Sequence, residues 1–282
     1  MSRKKKMFWV CACVLCGIGP MMFCFSGAAE STSPEFPGKK SQWNGYDQYE
    51  FEVEGRPCRV VVPRKPAGGN PWSWRAVFWG HEPQTEIALL ENGYYLASIE
   101  CSDLLGSPEN IKQRDAFYKF LTEEYEFAEK PVLIGMSRGG LCVLRWAIAN
   151  PDKVSCLYID APVCDFKSWP GGKGKGKGSP GDWKQVLNVY HLTEEEALKF
   201  EGNPVDAFQP LAERKIPIIS VCGDSDEVVP YEENTKILAE RYKNAGAPMD
   251  VFVKPGLGHH PHSLKDPAVI VGFILKNTKH EQ

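Results

Sequence analysis

The chain has 282 residues, 43% of them hydrophobic and 24% charged, which is ordinary for a globular protein that buries a sizeable core. A formal charge of −3 excludes the marked basic excess of a nucleic-acid-binding protein. Helix and strand signals alternate with no polar linker between them, so one α/β domain is expected rather than two small ones.

Arg3-Lys4-Lys5-Lys6 is a basic stretch, 7–25 is an apolar run and Ser26-Gly27-Ala28-Ala29 is a run of small residues. That order predicts a secretory signal peptide over 1–29, cleaved after Ala29 or Ala28, and so a secreted or periplasmic protein. An uncleaved N-terminal membrane anchor is the alternative, and Gly17, Gly19 and Pro20 weigh against it by weakening a spanning helix. No membrane contact is expected after cleavage. Loss of the four basic residues takes the formal charge to about −7. Four of the ten cysteines lie in this segment. The other six (Cys58, Cys101, Cys142, Cys156, Cys164 and Cys222) show no CxxC spacing, hence no metal or redox motif. Most fall in apolar runs, where a thiol behaves as a small hydrophobe, although an exported protein can pair some of them.

Residues 30–46 are rich in Ser, Pro and Gly and read as a flexible leader before a domain over 47–282. Alternation over 49–53 and 58–62 around Glu54-Gly55 predicts a hairpin. A short apolar strand over 74–79 runs into Gly80-His81-Glu82-Pro83, followed by a helix over 85–91 and a buried strand over 94–99. Ile111, Phe117, Phe120 and Leu121 keep helical spacing within 108–124. A strand over 131–134 precedes a tight turn at Ser137, and an apolar helix over 140–149 stops at Asn150-Pro151. Three more apolar strands (154–159, 216–222, 249–253) and helices over 232–245 and 267–276 complete the series. Continuous apolar strands alternating with helices predict a mainly parallel sheet covered on both faces. The stretch near 161–213 breaks the rhythm, with some fifty residues where one crossover helix would serve. It carries a Gly-Lys run at 171–178 and helical pieces at 183–190 and 194–200. An insertion of that size at one end of a sheet reads as a functional lid.

Gly135-Met136-Ser137-Arg138-Gly139 lies between a strand and a helix. A turn that tight strains its central residue, and flanking glycines remove side chains that would clash. Ser137 is thereby raised at a helix N-terminus, whose dipole favours a developing negative charge. The GxSxG pattern alone is weak, since a chain this long holds one by chance roughly one time in ten; its setting makes it a candidate nucleophile. A serine needs a base and the base needs an orienting carboxylate, in the chain order Ser, acid, His for this kind of turn. The strand near 218–222 runs into a loop with Asp224, Asp226 and Glu227. The last strand runs into Gly256-Leu257-Gly258-His259-His260-Pro261-His262, where any of three histidines can serve as base. Three clustered histidines also suggest a metal. None is expected, because the loop has no acidic or Cys ligand and a Ser–Asp–His set explains the cluster. Two backbone donors are expected for the oxyanion, the amide of Arg138 and, from the loop at 79–83, that of His81. The side chains of His81 and Glu82 would border the substrate.

From about residue 47 to 276, these three motif regions resemble the α/β-hydrolase superfamily, in the branch of prolyl-oligopeptidase-like and dienelactone-hydrolase-like esterases. The resemblance implies an α/β-hydrolase fold. An Asp shortly before a Val-Pro pair maps onto Asp226, with Asp224 as fallback, and a Gly-x-Gly-His ending maps onto His259, ahead of His260 and His262. Ser137-Arg138 is similar to the Ser-Arg of glucuronoyl and related carbohydrate esterases, which implies a guanidinium beside the oxyanion suited to a uronate or other anionic ester. A peptidase of the prolyl-oligopeptidase type would carry a large N-terminal propeller, for which the residues before Tyr49 leave no room. A small exported serine esterase is therefore expected, acting without a cofactor on acetyl or methyl esters of a polysaccharide. The alternatives are a peptidase of the same mechanism and a non-catalytic binding protein. Lys173, Lys175 and Lys177 would form a flexible cationic strip drawing in an acidic glycan. Trp169 and Trp183, on either side, would stack on sugar rings.

Overall fold

A computed structural model of the protein describes residues 35–278. The expected signal peptide and residues 30–34 of the expected leader lie outside them. Among the described residues nine strands form one sheet in the order β1-β2-β3-β5-β4-β6-β7-β8-β9. These are β1 (Lys39–Trp43), β2 (Tyr46–Val53), β3 (Arg56–Val62), β4 (Trp72–Arg75), β5 (Tyr95–Ile99), β6 (Val132–Met136), β7 (Cys156–Asp160), β8 (Ile218–Gly223) and β9 (Met249–Lys254). β1 to β3 pair antiparallel and β3 meets β5 antiparallel; from β5 through β4 to β9 every pairing is parallel. The inner strands β6, β7 and β8 are buried along their whole length, as their unbroken apolar runs require when helices cover both faces.

Helices α1 (Gln84–Glu91) and α9 (Ala268–Asn277) cover one face through Leu89, Ile270 and Ile274. On the other face lie α2 (Pro108–Lys119) and α3 (Arg138–Ala149). There Trp74 meets Trp146 and Phe117 at ring separations of 5.0 and 5.7 Å. Burying side chains of this size contributes roughly 2–3 kcal/mol each. Between β7 and β8 come α4 (Pro180–Tyr190), α5 (Glu194–Leu198), α6 (Pro204–Ala207) and α7 (Gln209–Glu213), and α8 (Thr235–Asn244) follows β8. The segment after β7 has its own apolar centre, with Phe166, Trp169, Trp183, Val186 and Tyr190 packed on Leu105 and Leu141. It is a folded cap, and sequence periodicity did not reveal the short α6 and α7.

Two expectations are corrected. Residues 39–43, assigned to the flexible leader, form β1, and Phe36 just before it is buried among Tyr49, Phe51, Tyr125 and Phe127. β1 reads KKSQW and is held by backbone pairing at the sheet edge, so no apolar pattern announces it. The strand expected over 74–79 stops at Arg75. The Arg75 side chain turns onto the carbonyls of Val77 and Phe78, and this bends residues 76–81 into a loop. All six cysteines within 35–278 are buried and unpaired, and burial pushes the Cys58 and Cys156 thiols up to about 12. No helix among the described residues is long and apolar enough to cross a membrane.

Candidate active site

Ser137 sits between β6 and α3 with φ +50° and ψ −123°, in the left-handed half of the map that side chains avoid. The flanking glycines are sterically required. A Cβ on Gly135 would lie 2.6 Å from the Gly139 carbonyl, and one on Gly139 would lie 2.7 Å from Val77 Cγ2. The Ser137 carbonyl accepts from the amides of Gly140 and Val163, and its own amide donates to Asp160, so the turn is braced from three sides.

His259 Nε2 lies 2.9 Å from Ser137 Oγ, and His259 Nδ1 lies 2.6 Å from Asp226 Oδ2. Asp226 is buried, and its other oxygen accepts from the amides of Val228 and Val229 at 2.8 and 2.9 Å. Those two donors fix the carboxylate before it meets the ring. Asp224, the fallback acid, is exposed and accepts from the Gly256 amide, which ties together the loops after β8 and β9. Of the three clustered histidines, His259 is the one that bridges Ser137 and an aspartate. His262 is buried and forms a separate pair with Asp160, Nδ1 to Oδ1 at 2.7 Å. The ring nitrogens of His260 have no hydrogen bond among the described residues. Burial and the facing imidazoles of His262, His259 and His81 hold its pKa below the usual histidine value.

A pocket of about 190 Å³ opens on Ser137, lined by Phe78, His81, His259, His260 and His262. Glu82 is not part of it. It borders a neighbouring cavity of about 570 Å³ with Gln84, Lys254 and Leu257, on the far side of His262. The expected second oxyanion donor is also corrected, because the His81 amide donates to the Phe78 carbonyl at 3.0 Å and closes a turn. In the same loop the amides of Val77 and Phe78 make no hydrogen bond among the described residues. Phe78 has φ +56° and lines the pocket. The Arg138 amide, first in α3, has no helical acceptor.

The expected charges near the nucleophile are mostly spoken for. The Arg138 guanidinium donates to both oxygens of Asp182 on α4, at 3.1 and 3.3 Å, and lies 5.0 Å over the Trp169 ring. It fastens the cap to α3 and does not lie free beside Ser137. Lys173 pairs with Glu194 at 2.6 Å and Lys177 with Glu227 at 2.9 Å; the Lys175 ammonium has no ion-pair partner among the described residues. The strip is not a flexible tether, since Gly174 and Lys175 lie against Glu233 and Gly176 is buried against Pro230. Trp169 and Trp183 are buried in the cap, the latter under Lys173, so neither indole offers a free face to a sugar.

A serine raised at a strand-to-helix turn on a mainly parallel sheet, with an aspartate on the loop after β8 and a histidine on the loop after β9, defines an α/β-hydrolase of the serine type. Residues 109–280 match the prolyl oligopeptidase family, peptidase S9, and the chain belongs to that family. It is 22% identical over 199 residues to the pimeloyl-[acyl-carrier protein] methyl ester esterase of Wigglesworthia glossinidia brevipalpis, a match covering 57% of this chain and 74% of that protein. Among solved structures it is similar to a Mycobacterium tuberculosis puromycin-hydrolyzing peptidase, with a TM-score of 0.63 and 13% identity over 82% of this chain and 38% of that one. A zinc-bound cold-adapted esterase from an Arctic intertidal metagenomic library is also similar, with a TM-score of 0.55 and 14% identity over 83% of this chain and 94% of that one. The chain thus spans little more than a third of the peptidase but nearly the whole esterase. At these identities the likeness shows the fold alone.

Proposed function

We propose that the protein hydrolyses carboxylic esters through an acyl-enzyme, with Ser137 as nucleophile, His259 as general base and Asp226 as the carboxylate that orients it. The hydrogen-bonded row from Asp226 to His259 to Ser137 carries this reading. His259 Nε2 takes the Ser137 proton as Oγ attacks the carbonyl, then returns it to the leaving alcohol. Water repeats the sequence on the acyl-enzyme and releases the acid. Asp226 holds the proton on Nδ1, which leaves Nε2 free to accept. The oxyanion is received by the amide of Arg138 and, in place of His81, by the amide of Phe78.

A pocket of about 190 Å³ suits the small half of an ester, an acetyl group or a methanol leaving group, and we favour acetyl or methyl esters on a polysaccharide. The match to a methyl ester esterase favours ester over peptide hydrolysis, while the family itself keeps the peptidase reading open. A fluorophosphonate is expected to add one phosphonyl group to the protein, located on Ser137 by peptide mass spectrometry. An unlabelled Ser137 in protein that turns over p-nitrophenyl acetate would overturn the assignment. Faster turnover of a peptide anilide than of small esters would favour a peptidase.

Recognition of an acidic glycan rests on fewer charges than the composition suggested, with Lys175 foremost. Replacing Lys173, Lys175 and Lys177 with serine should lower kcat/KM for uronate-bearing acetyl esters about threefold at low salt, with the difference fading at high salt. Neutral esters should be unaffected. An equal change on both, or no change, removes the anionic preference.

A further inference from the structure

His81, on the loop after β4, meets His260 and His262, on the loop after β9, at the rim of the Ser137 pocket. We propose that these three imidazoles form a binding site for a divalent transition-metal ion of the zinc class. One ring nitrogen from each lies within 4.8 Å of the others. Tetrahedral zinc at 2.0–2.1 Å from each nitrogen needs them about 3.3 Å apart. His81 and His260 are exposed, so side-chain rotation closes the difference without moving the sheet. The ring centroids already stand 4.7, 5.6 and 6.1 Å apart, against about 5.2 Å for three imidazoles pointing at one tetrahedral ion.

The orientation of His262 is the second, independent observation. Its Nδ1 is engaged by Asp160, which is buried and is itself held by the Ser263 amide at 2.7 Å and the Tyr158 hydroxyl at 3.1 Å. With Nδ1 as the donor, Nε2 is left as a lone pair, the carboxylate–histidine arrangement that prepares a metal ligand. The catalytic row has no use for this second Asp–His pair. Nor do the ring nitrogens of His81 and His260 have hydrogen bonds among the described residues. Three nitrogen ligands and no thiolate fit zinc, cobalt, nickel or copper far better than magnesium or calcium. Residues 255–262, after β9, hold no acidic or Cys ligand, and the third histidine comes from the loop after β4, about 180 residues away. Three protein ligands leave a fourth position open, and the three histidines line the pocket that holds Ser137 Oγ. An oxygen of the substrate, a carboxylate or a hydroxyl beside the ester, takes that place. The binding of metal does not depend on Ser137 being a nucleophile.

Untagged full-length protein stripped with EDTA is titrated with Co²⁺. One equivalent is expected to bind with the intense visible absorption of a four- or five-coordinate site, and one equivalent of Zn²⁺ should displace it. His81→Ala and His260→Ala should each weaken Co²⁺ binding at least tenfold with the circular dichroism unchanged, and Ser137→Ala should bind as before. Failure of the hydrolase reading would show as turnover without Ser137. Failure here would show as no saturable Co²⁺ binding, or as binding that survives both histidine replacements.

Discussion

Replacing Ser137 with alanine is expected to lower kcat for p-nitrophenyl acetate by about 10⁴- to 10⁶-fold while leaving the thermal midpoint within about 2 °C. The alanine keeps the Cβ, so the strained backbone at φ +50° is unchanged and only Oγ and its hydrogen bond to His259 are removed. His259→Ala should cost a similar factor, and the double variant no more than either alone, because a nucleophile and its base act as one unit. Asp226→Asn separates two roles of the acid. Its Oδ1 would still accept from Val228 and Val229, so the loop should hold, but an amide in place of Oδ2 lets the imidazole carry its proton on Nε2. That wrong tautomer faces Ser137 with a donor, and a loss of about 10⁴ in kcat is expected. Initial-rate kinetics on the four variants decide the matter. Turnover by Ser137→Ala within tenfold of the parent would sink the assignment.

The turn at Ser137 was readable because its constraint is local. Five consecutive residues must satisfy one strained backbone, and Gly135 and Gly139 leave their mark in the sequence. The parallel sheet was readable for a similar reason, since strands covered on both faces must be apolar throughout. What escaped depends on partners distant in the chain. That the Arg138 guanidinium is claimed by an aspartate 44 residues away follows from where the cap folds, and no spacing rule carries it. The His81 amide looked available until the turn at Phe78 used it. The lysines of the Gly-Lys run read as free charge because their acidic partners, Glu194 and Glu227, lie on other segments. β1 escaped because an edge strand held by its backbone needs no side-chain pattern. In each case composition stated which groups exist, and the fold decided which of them remain unpaired.

Arg75, at the end of the short strand β4, is a second group whose weight comes from distant partners. Its guanidinium and the Glu86 carboxylate form an ion pair with both side chains only 2% exposed. The rest of the guanidinium donates to the carbonyls of Val77, Phe78 and His81, at 2.9, 3.1 and 2.7 Å. One buried cation thus gathers three carbonyls of the loop that presents Phe78 and His81 to the pocket. Glu86, in the first turn of α1, supplies the counter-charge where the helix dipole also favours it. Glu86→Gln would leave Arg75 buried without an anion. The expected cost is about 3–5 kcal/mol, which lowers the thermal midpoint by roughly 10 °C in a domain of this size. Replacing both partners with apolar residues, Arg75→Met with Glu86→Leu, removes the uncompensated charge but orphans the Val77 and His81 carbonyls, so only part of the midpoint should return. It should not restore turnover, because the three carbonyls then lose their common donor and the Phe78 amide its fixed direction. Differential scanning calorimetry with initial rates on both variants separates the two effects. A double variant that regains stability and activity together would mean that the pair only holds charge and does not position the loop. A midpoint unmoved by Glu86→Gln would mean that water reaches Arg75.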